Sequence, residues 1–221
     1  MKRTKIDWCD CTINPVVGCK NGCPYCYARK INDRFHFIED WNKPQFFPER
    51  LKQLSSKKQK SIFMDSMSDV GLWKSIWFDQ VIQAMQKNTQ HRYIFLSKCA
   101  NGFLGHSKFF LGLEDIAFFG LSITKANDWD KLQGTSFDFI SIEPLLEDLN
   151  LHRYKYYPLS LKQVIIGAET GNRKGKVIPK KEWVDSIVNF CDEHHLRVFM
   201  KSSLKDIMGE DFRQDKLIWE V

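Results

Sequence analysis

Short apolar runs recur along the chain, and their spacing constrains the fold more than any other feature. Each run is nearly continuous in Val, Ile, Phe and Leu and ends in polar or small residues, as expected for parallel strands that are covered on both faces. Their starts lie roughly 20 to 35 residues apart, which suits a strand, a crossover helix and two loops. The six runs are SIFMDS (61–66), YIFLSK (93–98), AFFGLSI (117–123), FDFISIE (137–143), QVIIGAE (163–169) and RVFMKS (197–202).

Two segments between these runs carry apolar residues at helical spacing. The first covers residues 75–88, and the second starts at Pro179 and continues to residue 195. The apolar stripes are Trp77, Val81 and Met85 in the first segment, and Trp183, Ile187 and Cys191 in the second. We therefore predict an α/β fold of right-handed βα units, closed fully or partly into a TIM-type (βα) barrel of about six to seven parallel strands. We expect residues 1–221 to form a single domain.

Polar side chains follow all six predicted strands. In a βα barrel the reactive face is the one where the strands end, so these residues are candidates for a common site. They include carboxylates and lysines, which indicates a polar cavity at one rim. The residues are Asp65, Ser66, Ser68, Asp69, Ser97, Lys98, Ser122, Thr124, Glu143, Glu169 and Lys201.

The chain is expected to be cytoplasmic and to have no membrane partner. No apolar run reaches the roughly 18 residues needed to span a bilayer, and the basic start MKRTKIDWCDC leads into no apolar signal-peptide core. Seven cysteines are an odd number, and thiols stay reduced in the cytosol. Metal ligation is therefore favoured over disulfide formation.

Three of these cysteines, Cys19, Cys23 and Cys26, follow the spacing CxxxCxxC within the stretch GCKNGCPYC. A loop this short can bring three thiolates to one metal site. A structural zinc site needs four protein ligands and would have to recruit its fourth from a group outside the motif. An iron-sulfur cluster that does chemistry needs only three, because its remaining iron must stay open to a small molecule. The candidates for the fourth zinc ligand are Cys9, Cys11 and His36.

The motif resembles the cluster motif of radical S-adenosylmethionine enzymes, with Tyr25 in the aromatic position before the last cysteine. The resemblance implies a four-iron four-sulfur cluster whose open iron is chelated by S-adenosylmethionine. It also implies reductive cleavage of that cofactor to a 5′-deoxyadenosyl radical, with electrons from an external donor. The fold implied is a full or partial βα barrel with the cluster loop after its first strand.

A narrower resemblance extends over nearly the whole chain. Segments of this sequence are similar, in order, to an uncharacterised family of radical S-adenosylmethionine-like proteins common in phages and prophages. This similarity implies a phage or prophage protein that works in a bacterial host cell. The superfamily includes a DNA repair enzyme, spore photoproduct lyase, so nucleic acid is one candidate substrate. The segments are IDWCDCTINPVVGC, CPYCYARK, FMDSMSDV, FLSK, GLSIT, SIEPLL, VIIGAETG and FMKSSL.

The resemblance also implies roles for individual residues. Cys19, Cys23 and Cys26 would hold the catalytic cluster, and Tyr25 would lie near the adenine. Many radical enzymes carry a GGE segment for the methionine amino group where this chain reads DSMSD. The remaining candidates are Ser66, Ser68 and Asp69 for that amino group, Lys98, Ser122 and Glu143 for other cofactor contacts, and Glu169, Lys201 and Cys99 for the substrate.

Positive charge is concentrated in the first quarter of the chain. Residues 1–60 hold 13 Lys/Arg against 6 Asp/Glu, whereas the rest hold 20 against 21. The densest run, RLKQLSSKKQK at 50–60, is either a solvated surface or a phosphate-binding patch for DNA or RNA. The alternative function is therefore a nucleic-acid-binding phage protein that a zinc ion or iron-sulfur cluster stabilises, without catalysis. A third reading is a degenerate barrel that keeps the cluster but acts through partners.

Overall fold

The structure, a computed structural model, describes residues 4–104, 112–154 and 157–220. It is a mixed α/β protein with seven parallel strands, which confirms the predicted fold class and strand number. Closure into a TIM-type barrel stays a prediction. The chain divides into two compact units, Met1–Phe118 and Phe119–Val221. This division leaves the single-domain prediction untested.

The first unit contains three parallel strands in the order β1, β4, β5, and a short antiparallel pair, β2 and β3. Its strands are β1 (Cys11–Thr12), β2 (Val16–Val17), β3 (Gln45–Phe46), β4 (Ser61–Phe63) and β5 (Arg92–Ser97). Its helices are α1 (Tyr27–Phe35), α2 (Ser75–Gln86) and α3 (Ala100–Leu104), with 3-10 turns at Pro48–Ser55 and Val70–Leu72.

The predicted apolar face of α2 is confirmed, except that Trp77 lies at its edge and not at its centre. Phe78, Val81, Ile82 and Met85 are buried, whereas Trp77 is half-buried and stacks on the ring of Phe46 at the edge of the stripe. Burying a large apolar side chain contributes about 1.5–3 kcal/mol, so these four positions are enough to attach the helix.

The second unit contains four parallel strands in chain order. They are β6 (Ala117–Ser122), whose first two residues precede the division, β7 (Phe139–Ile142), β8 (Gln163–Ile166) and β9 (Arg197–Met200). All six predicted strands are thus confirmed. The helices are α4 (Lys181–Glu193) and α5 (Lys205–Met208), with 3-10 turns at Ala126–Leu132, Leu151–Arg153, Ser202–Leu204 and Gly209–Asp211.

Helix α4 buries Val184, Ile187, Phe190 and Cys191, and Trp183 is again half-buried at the edge of the stripe. Burial raises the pKa of the Cys191 thiol to about 12, as expected for a cysteine that packs as a small apolar residue. Within the described ranges, α4 and every other helix is too short or too polar to cross a membrane.

Candidate functional site

The cysteine loop, residues 18–26, joins β2 to α1 in the first unit and follows the first parallel strand, β1. Gly18 has a φ of +107°, and a Cβ at this position would lie 2.9 Å from the Trp41 carbonyl oxygen, so glycine alone fits without strain. The Gly18 N–H donates to the Met67 carbonyl at 3.0 Å, and the Cys19 N–H donates to the Trp41 carbonyl at 2.9 Å. The start of the loop is therefore fixed from two sides.

The three thiols of the motif are half-buried and free of disulfide bonds. The Asn21 N–H donates to the sulfur of Cys19 at 3.5 Å. The Arg29 N–H donates to the sulfur of Cys26 at 3.3 Å, because Cys26 is the N-cap residue of α1. Amide hydrogens and the positive end of the helix dipole favour a negative sulfur. Two of the three sulfurs therefore accept a backbone N–H hydrogen bond.

Burial and neighbouring negative charges also act on the thiol of Cys19. Burial, followed by negative charge on Asp69, Cys23 and Cys26, raises the pKa of the Cys19 thiol to about 12, against the opposing hydrogen bond from Asn21. Cys19 is thus a neutral thiol at neutral pH when nothing is bound. Thiols must lose their protons to bind a metal, so a positive ion is the partner that would reverse this preference.

The chain's residues fit an iron-sulfur cluster by the chemistry of their donors. Among the described residues, no group of three His, Cys, Asp or Glu side chains is arranged to hold a single metal ion. In a four-iron cluster each cysteine binds a different iron, so the sulfurs need not converge on one point. Three free thiols on one loop, two of them accepting N–H bonds, provide the ligands and the supporting hydrogen bonds that such a cluster uses.

Asp69 is the centre of a hydrogen-bond network at the ends of β4 and β5. Its carboxylate is buried and accepts four hydrogen bonds. Oδ1 accepts from the Gly71 N–H at 3.0 Å and from the Ser97 hydroxyl at 2.6 Å. Oδ2 accepts from the Asn21 amide at 2.6 Å and from the Lys98 N–H at 3.0 Å. The carboxylate therefore joins the cysteine loop to the end of β5.

Asn21, which sequence reasoning did not single out, connects this network to two cysteines. Its side-chain amide donates to Asp69, its carbonyl oxygen accepts from the thiol of Cys99 at 3.3 Å, and its backbone N–H donates to the Cys19 sulfur. The Cys99 N–H in turn donates to the Ser97 hydroxyl at 2.8 Å. The fold thus brings Cys99, a predicted substrate contact, to a residue inside the cysteine loop.

A second buried carboxylate, Asp65, lies between the same two strands. It accepts from the Val70 N–H and from the Leu96 N–H, each at 3.1 Å. Burial, followed by the negative charge of Asp69, raises the pKa of Asp65 well above its ordinary value. Asp65 therefore holds the turn after β4 against β5 and carries a strongly perturbed proton affinity.

The hydroxyl groups predicted to receive the cofactor's amino group make contacts within the protein. The Ser66 hydroxyl donates to the Asn14 side-chain oxygen at 3.0 Å, and the Ser68 hydroxyl accepts from the Trp73 indole N–H at 2.9 Å. These bonds fix the segment 66–68 after β4. The cofactor contacts assigned to Ser66, Ser68 and Asp69 stay predictions.

Tyr25 and Lys98, both predicted cofactor contacts, meet in the first unit. The Lys98 ammonium lies 5.7 Å from the centre of the Tyr25 ring, within the range of a cation–π contact. Since the Lys98 N–H also binds Asp69, this contact connects the aromatic residue of the motif to the same network.

In the second unit, Glu143 and Lys201 form an ion pair across β8. Ile142, Ile166 and Met200 are aligned in the parallel register, so the residues that follow them, Glu143, Gly167 and Lys201, form the next row. The Lys201 ammonium donates to the Glu143 carboxylate. A Cβ on Gly167 would lie 3.0 Å from Cδ of Lys201 and 3.3 Å from Cγ of Glu143, so the glycine leaves room for the pair.

Glu169 is also paired. Its nearly buried carboxylate accepts two hydrogen bonds from Arg173, at 2.6 Å and 2.7 Å. The guanidinium is matched to both carboxylate oxygens, which is the strongest geometry for such a pair. The structure thus pairs Glu143 with Lys201 and Glu169 with Arg173. The sequence predicted a cofactor contact for Glu143 and substrate contacts for Glu169 and Lys201.

Two buried serines face each other on neighbouring strands of the second unit. Ser122 of β6 is aligned with Ser141 of β7, and both are almost fully buried. The Ser141 hydroxyl has no hydrogen-bond partner among the described residues. Burying a hydroxyl without a hydrogen-bond partner is energetically unfavourable. Ser141 is thus an unusual polar position within an apolar strand, and the sequence pattern did not single it out.

The basic segment 50–60 begins beside Asn14, which follows β1, and ends at the amino end of β4. Arg50 donates to the Asn14 carbonyl oxygen at 2.8 Å, so its charge is partly committed to the fold. Lys57 and Lys58 are exposed and precede the first residue of β4, and the Lys60 carbonyl accepts from the Arg92 N–H at the start of β5. The exposed lysines are therefore separated from Asp65 and Asp69 by the length of the strand.

Comparisons with known proteins identify a family for this chain. Comparison with curated proteins and with solved structures gives no match. One family model, described as a protein of unknown function (DUF5131), matches residues 3–210. That match includes the cysteine loop, the Asp69 network and the Glu143–Lys201 pair. The chain therefore belongs to the DUF5131 family.

Proposed function

We propose that the chain is a radical S-adenosylmethionine enzyme that binds a four-iron four-sulfur cluster through Cys19, Cys23 and Cys26. The observation that carries this proposal is a single loop with three free thiols, two of which accept backbone N–H bonds. The resemblance of the motif to radical enzymes supports it. Three protein ligands leave one iron open to the amino and carboxylate groups of S-adenosylmethionine.

Cys19, Cys23 and Cys26 would hold the cluster, which would supply the electron for cleaving S-adenosylmethionine to methionine and a 5′-deoxyadenosyl radical that acts on the substrate. The chain's own contribution is to hold and shield the site. Asp69 and Asn21 hold the cysteine loop against the end of β5. The N–H groups of Asn21 and Arg29 stabilise negative charge on two of the sulfurs.

Other residues are proposed to contact the cofactor or substrate. Nucleic acid is one candidate substrate, and an external electron donor completes the reaction. The proposed cofactor contacts are Tyr25 beside the adenine, Ser66, Ser68 and Asp69 at the amino group, and Lys98, Ser122 and Glu143 at the ribose and carboxylate. The proposed substrate contacts are Glu169, Lys201 and Cys99.

The test is anaerobic reconstitution with iron and sulfide. The proposal predicts a brown protein with about four irons per chain, which releases 5′-deoxyadenosine when dithionite is added with S-adenosylmethionine. Replacing Cys19, Cys23 or Cys26 by serine should abolish both the colour and the product. Cys9→Ser, outside the motif, is the matched control and should retain both. A colourless protein with one tightly bound zinc ion would contradict the proposal.

The exposed side chains of Lys57 and Lys58 favour nucleic-acid binding as a second candidate function. The double variant Lys57→Gln/Lys58→Gln should weaken DNA or RNA binding and reduce its salt dependence, without changing iron content. Binding that persists in a folded Cys26→Ser variant would support a module that works without the cluster. Loss of polynucleotide binding in that folded variant would instead assign binding to the cluster site.

A further inference from the structure

A cavity of about 320 Å³ lies in the second unit at the amino ends of β8 and β9. Lys162 precedes β8, Arg197 is the first residue of β9, and both line the cavity. The predicted reactive residues Glu143 and Lys201 lie at the other ends of these strands. The volume lies at the lower end of the range typical of small-molecule sites, which begins at about 300 Å³.

Positive and titratable nitrogen groups from three elements line this cavity. His194 and His195 follow the last turn of α4 and join Lys162 and Arg197 in the lining. None of the described lining residues is acidic. The Arg197 guanidinium donates to the Lys216 carbonyl oxygen at 3.4 Å. The charge of Arg197 also acts on Asp215, which is bound by Arg213 through two nitrogens. The cavity therefore presents cations that suit an anion.

Asp138 is the acidic residue beside Lys162, and it does not line the cavity. The Lys162 N–H donates to the backbone carbonyl of Asp138 at 2.9 Å. The Asp138 carboxylate accepts from the Phe119 N–H at 2.8 Å, and burial raises its pKa, against the opposing positive charge of Lys162. Lysine ammonium and arginine guanidinium groups are the usual protein donors to phosphate.

Aromatic and apolar side chains form another part of the wall. The ring of Tyr157 lies 4.6 Å from the ring of His194, which also contacts Phe190 at 4.5 Å. Leu159, also in the lining, is almost fully exposed, with 97% of its surface accessible. Flat rings beside cations are the surface on which a nucleobase stacks while its phosphate is bound.

The backbone around the two histidines is held in an uncommon conformation. His195 has a φ of +56°, in the left-handed region that residues other than glycine rarely occupy. The next residue, Leu196, anchors this turn through its N–H, which donates to the Cys191 carbonyl at 2.8 Å. The His195 N–H also donates to the Asp192 carbonyl at 3.3 Å, and the two bonds form a usual end of an α-helix, which places both histidines at the cavity.

We infer that this cavity binds a nucleoside phosphate, with Lys162 and Arg197 at the phosphate and the Tyr157–His194 ring pair against the base. The ligand is either a free nucleotide or the phosphorylated end of a polynucleotide, since both present the same chemistry. The site lies outside the cysteine loop and its binding does not depend on a cluster.

Calorimetric titration of the full chain with adenosine 5′-monophosphate tests this inference. Lys162→Gln and Arg197→Gln should each weaken binding at least about tenfold, because each removes one charged donor to phosphate. Both side chains are exposed, so the fold should be retained, and unfolding curves check this. Lys176→Gln is the matched control: the residue is exposed, carries the same charge and does not line the cavity. This variant should bind as the wild type does.

Absence of binding, or equal binding by the wild type and both cavity variants, would overturn the inference. Inorganic phosphate that binds as tightly as the nucleotide would overturn the assignment of the rings to a base. A 5′-phosphorylated DNA oligonucleotide and its unphosphorylated form separate the two sources. Tighter binding of the phosphorylated oligonucleotide supports a chain end, and tighter binding of the mononucleotide supports a free nucleotide.

Discussion

The two units carry polar side chains at the ends of their strands in different ways. In the first unit, the buried carboxylate of Asp69 is surrounded by neutral donors, four in all, and none of them is a cationic side chain. In the second unit, Glu143 and Glu169 are each paired with a cation, Lys201 and Arg173 respectively.

Carboxylates at strand ends therefore have different roles in the two units. Neutral donors hold a carboxylate in a fixed direction while its negative charge remains, which suits a group that orders a neighbouring loop. A cationic side chain neutralises the negative charge of its carboxylate partner. Such a pair suits a group that stabilises the sheet until a ligand displaces one of the two partners.

Removing the Asp69 carboxylate should have the largest effect. Asp69→Ala leaves the Asn21 amide, the Ser97 hydroxyl and two N–H groups without their acceptor, so we expect a loss of about 3–5 kcal/mol in the free energy of unfolding. Urea unfolding measures it. Asp33→Ala, on the exposed face of α1, is the matched control and should change stability by less than about 0.5 kcal/mol. A loss below about 1 kcal/mol for Asp69→Ala would break the comparison.

Breaking the ion pair of the second unit should cost less, because Glu143 and Lys201 retain some access to water. We expect Glu143→Ala to lower the free energy of unfolding by about 2 kcal/mol, and a double-mutant cycle with Lys201→Ala to give a coupling of about 1 kcal/mol. The same cycle in a Gly167→Ala background should give a smaller coupling, since the added Cβ crowds both side chains. Additive single effects would show that the two residues do not stabilise each other.

The pH dependence of stability should reveal the perturbed proton affinity of Asp65. In the unfolded chain an aspartate has a pKa of about 3.9. In the folded chain, burial and the negative charge of Asp69 raise the pKa of Asp65. Between these two pKa values the folded state binds more protons, so the free energy of unfolding falls as the pH rises, by at most about 1.4 kcal/mol per pH unit.

Asp65→Asn removes this titration. Unfolding curves from pH 4 upward should therefore show that the wild type loses stability relative to Asp65→Asn as the pH rises. The amide also disturbs one of the two N–H contacts, but that cost does not vary with pH. Parallel curves for the two proteins would contradict the assignment.

Ser97 in the first unit and Ser141 in the second are both buried, and replacing them should give the smallest changes in stability. Ser97→Ala removes a donor to Asp69 and an acceptor for the Cys99 N–H, so we expect a loss of about 1–2 kcal/mol. Ser141→Ala removes a hydroxyl without a described partner, so its free energy of unfolding should stay within about 0.5 kcal/mol of the wild type or rise. A clear loss for Ser141→Ala would mean that its hydroxyl has a partner.

The strands could be predicted because their apolar runs are buried on both faces, which leaves a continuous signal in the sequence. The two-residue strands β1, β2 and β3 are too short to show any period. Trp77 and Trp183 were placed on the stripes of α2 and α4, but they lie at the edges and are half-buried.

The site was predictable only where it is local. CxxxCxxC is visible in eight residues, whereas the contacts of Asn21 reach Asp69 and Cys99, 48 and 78 residues away. In the sequence, Asn21 is only a spacer between two cysteines. Glu143 and Lys201 were both identified, but their pairing depends on the register of three strands, which no local pattern reports.

Mössbauer spectroscopy of the protein reconstituted with ⁵⁷Fe, with and without S-adenosylmethionine, tests whether the cysteine loop holds a cluster with an open iron. If Cys19, Cys23 and Cys26 hold a four-iron cluster with one open iron, about a quarter of the iron signal should shift when the cofactor is added. The same experiment on Cys9→Ser should give the same shift. A protein that binds no cluster, or a cluster whose iron signals do not change with the cofactor, would contradict the account.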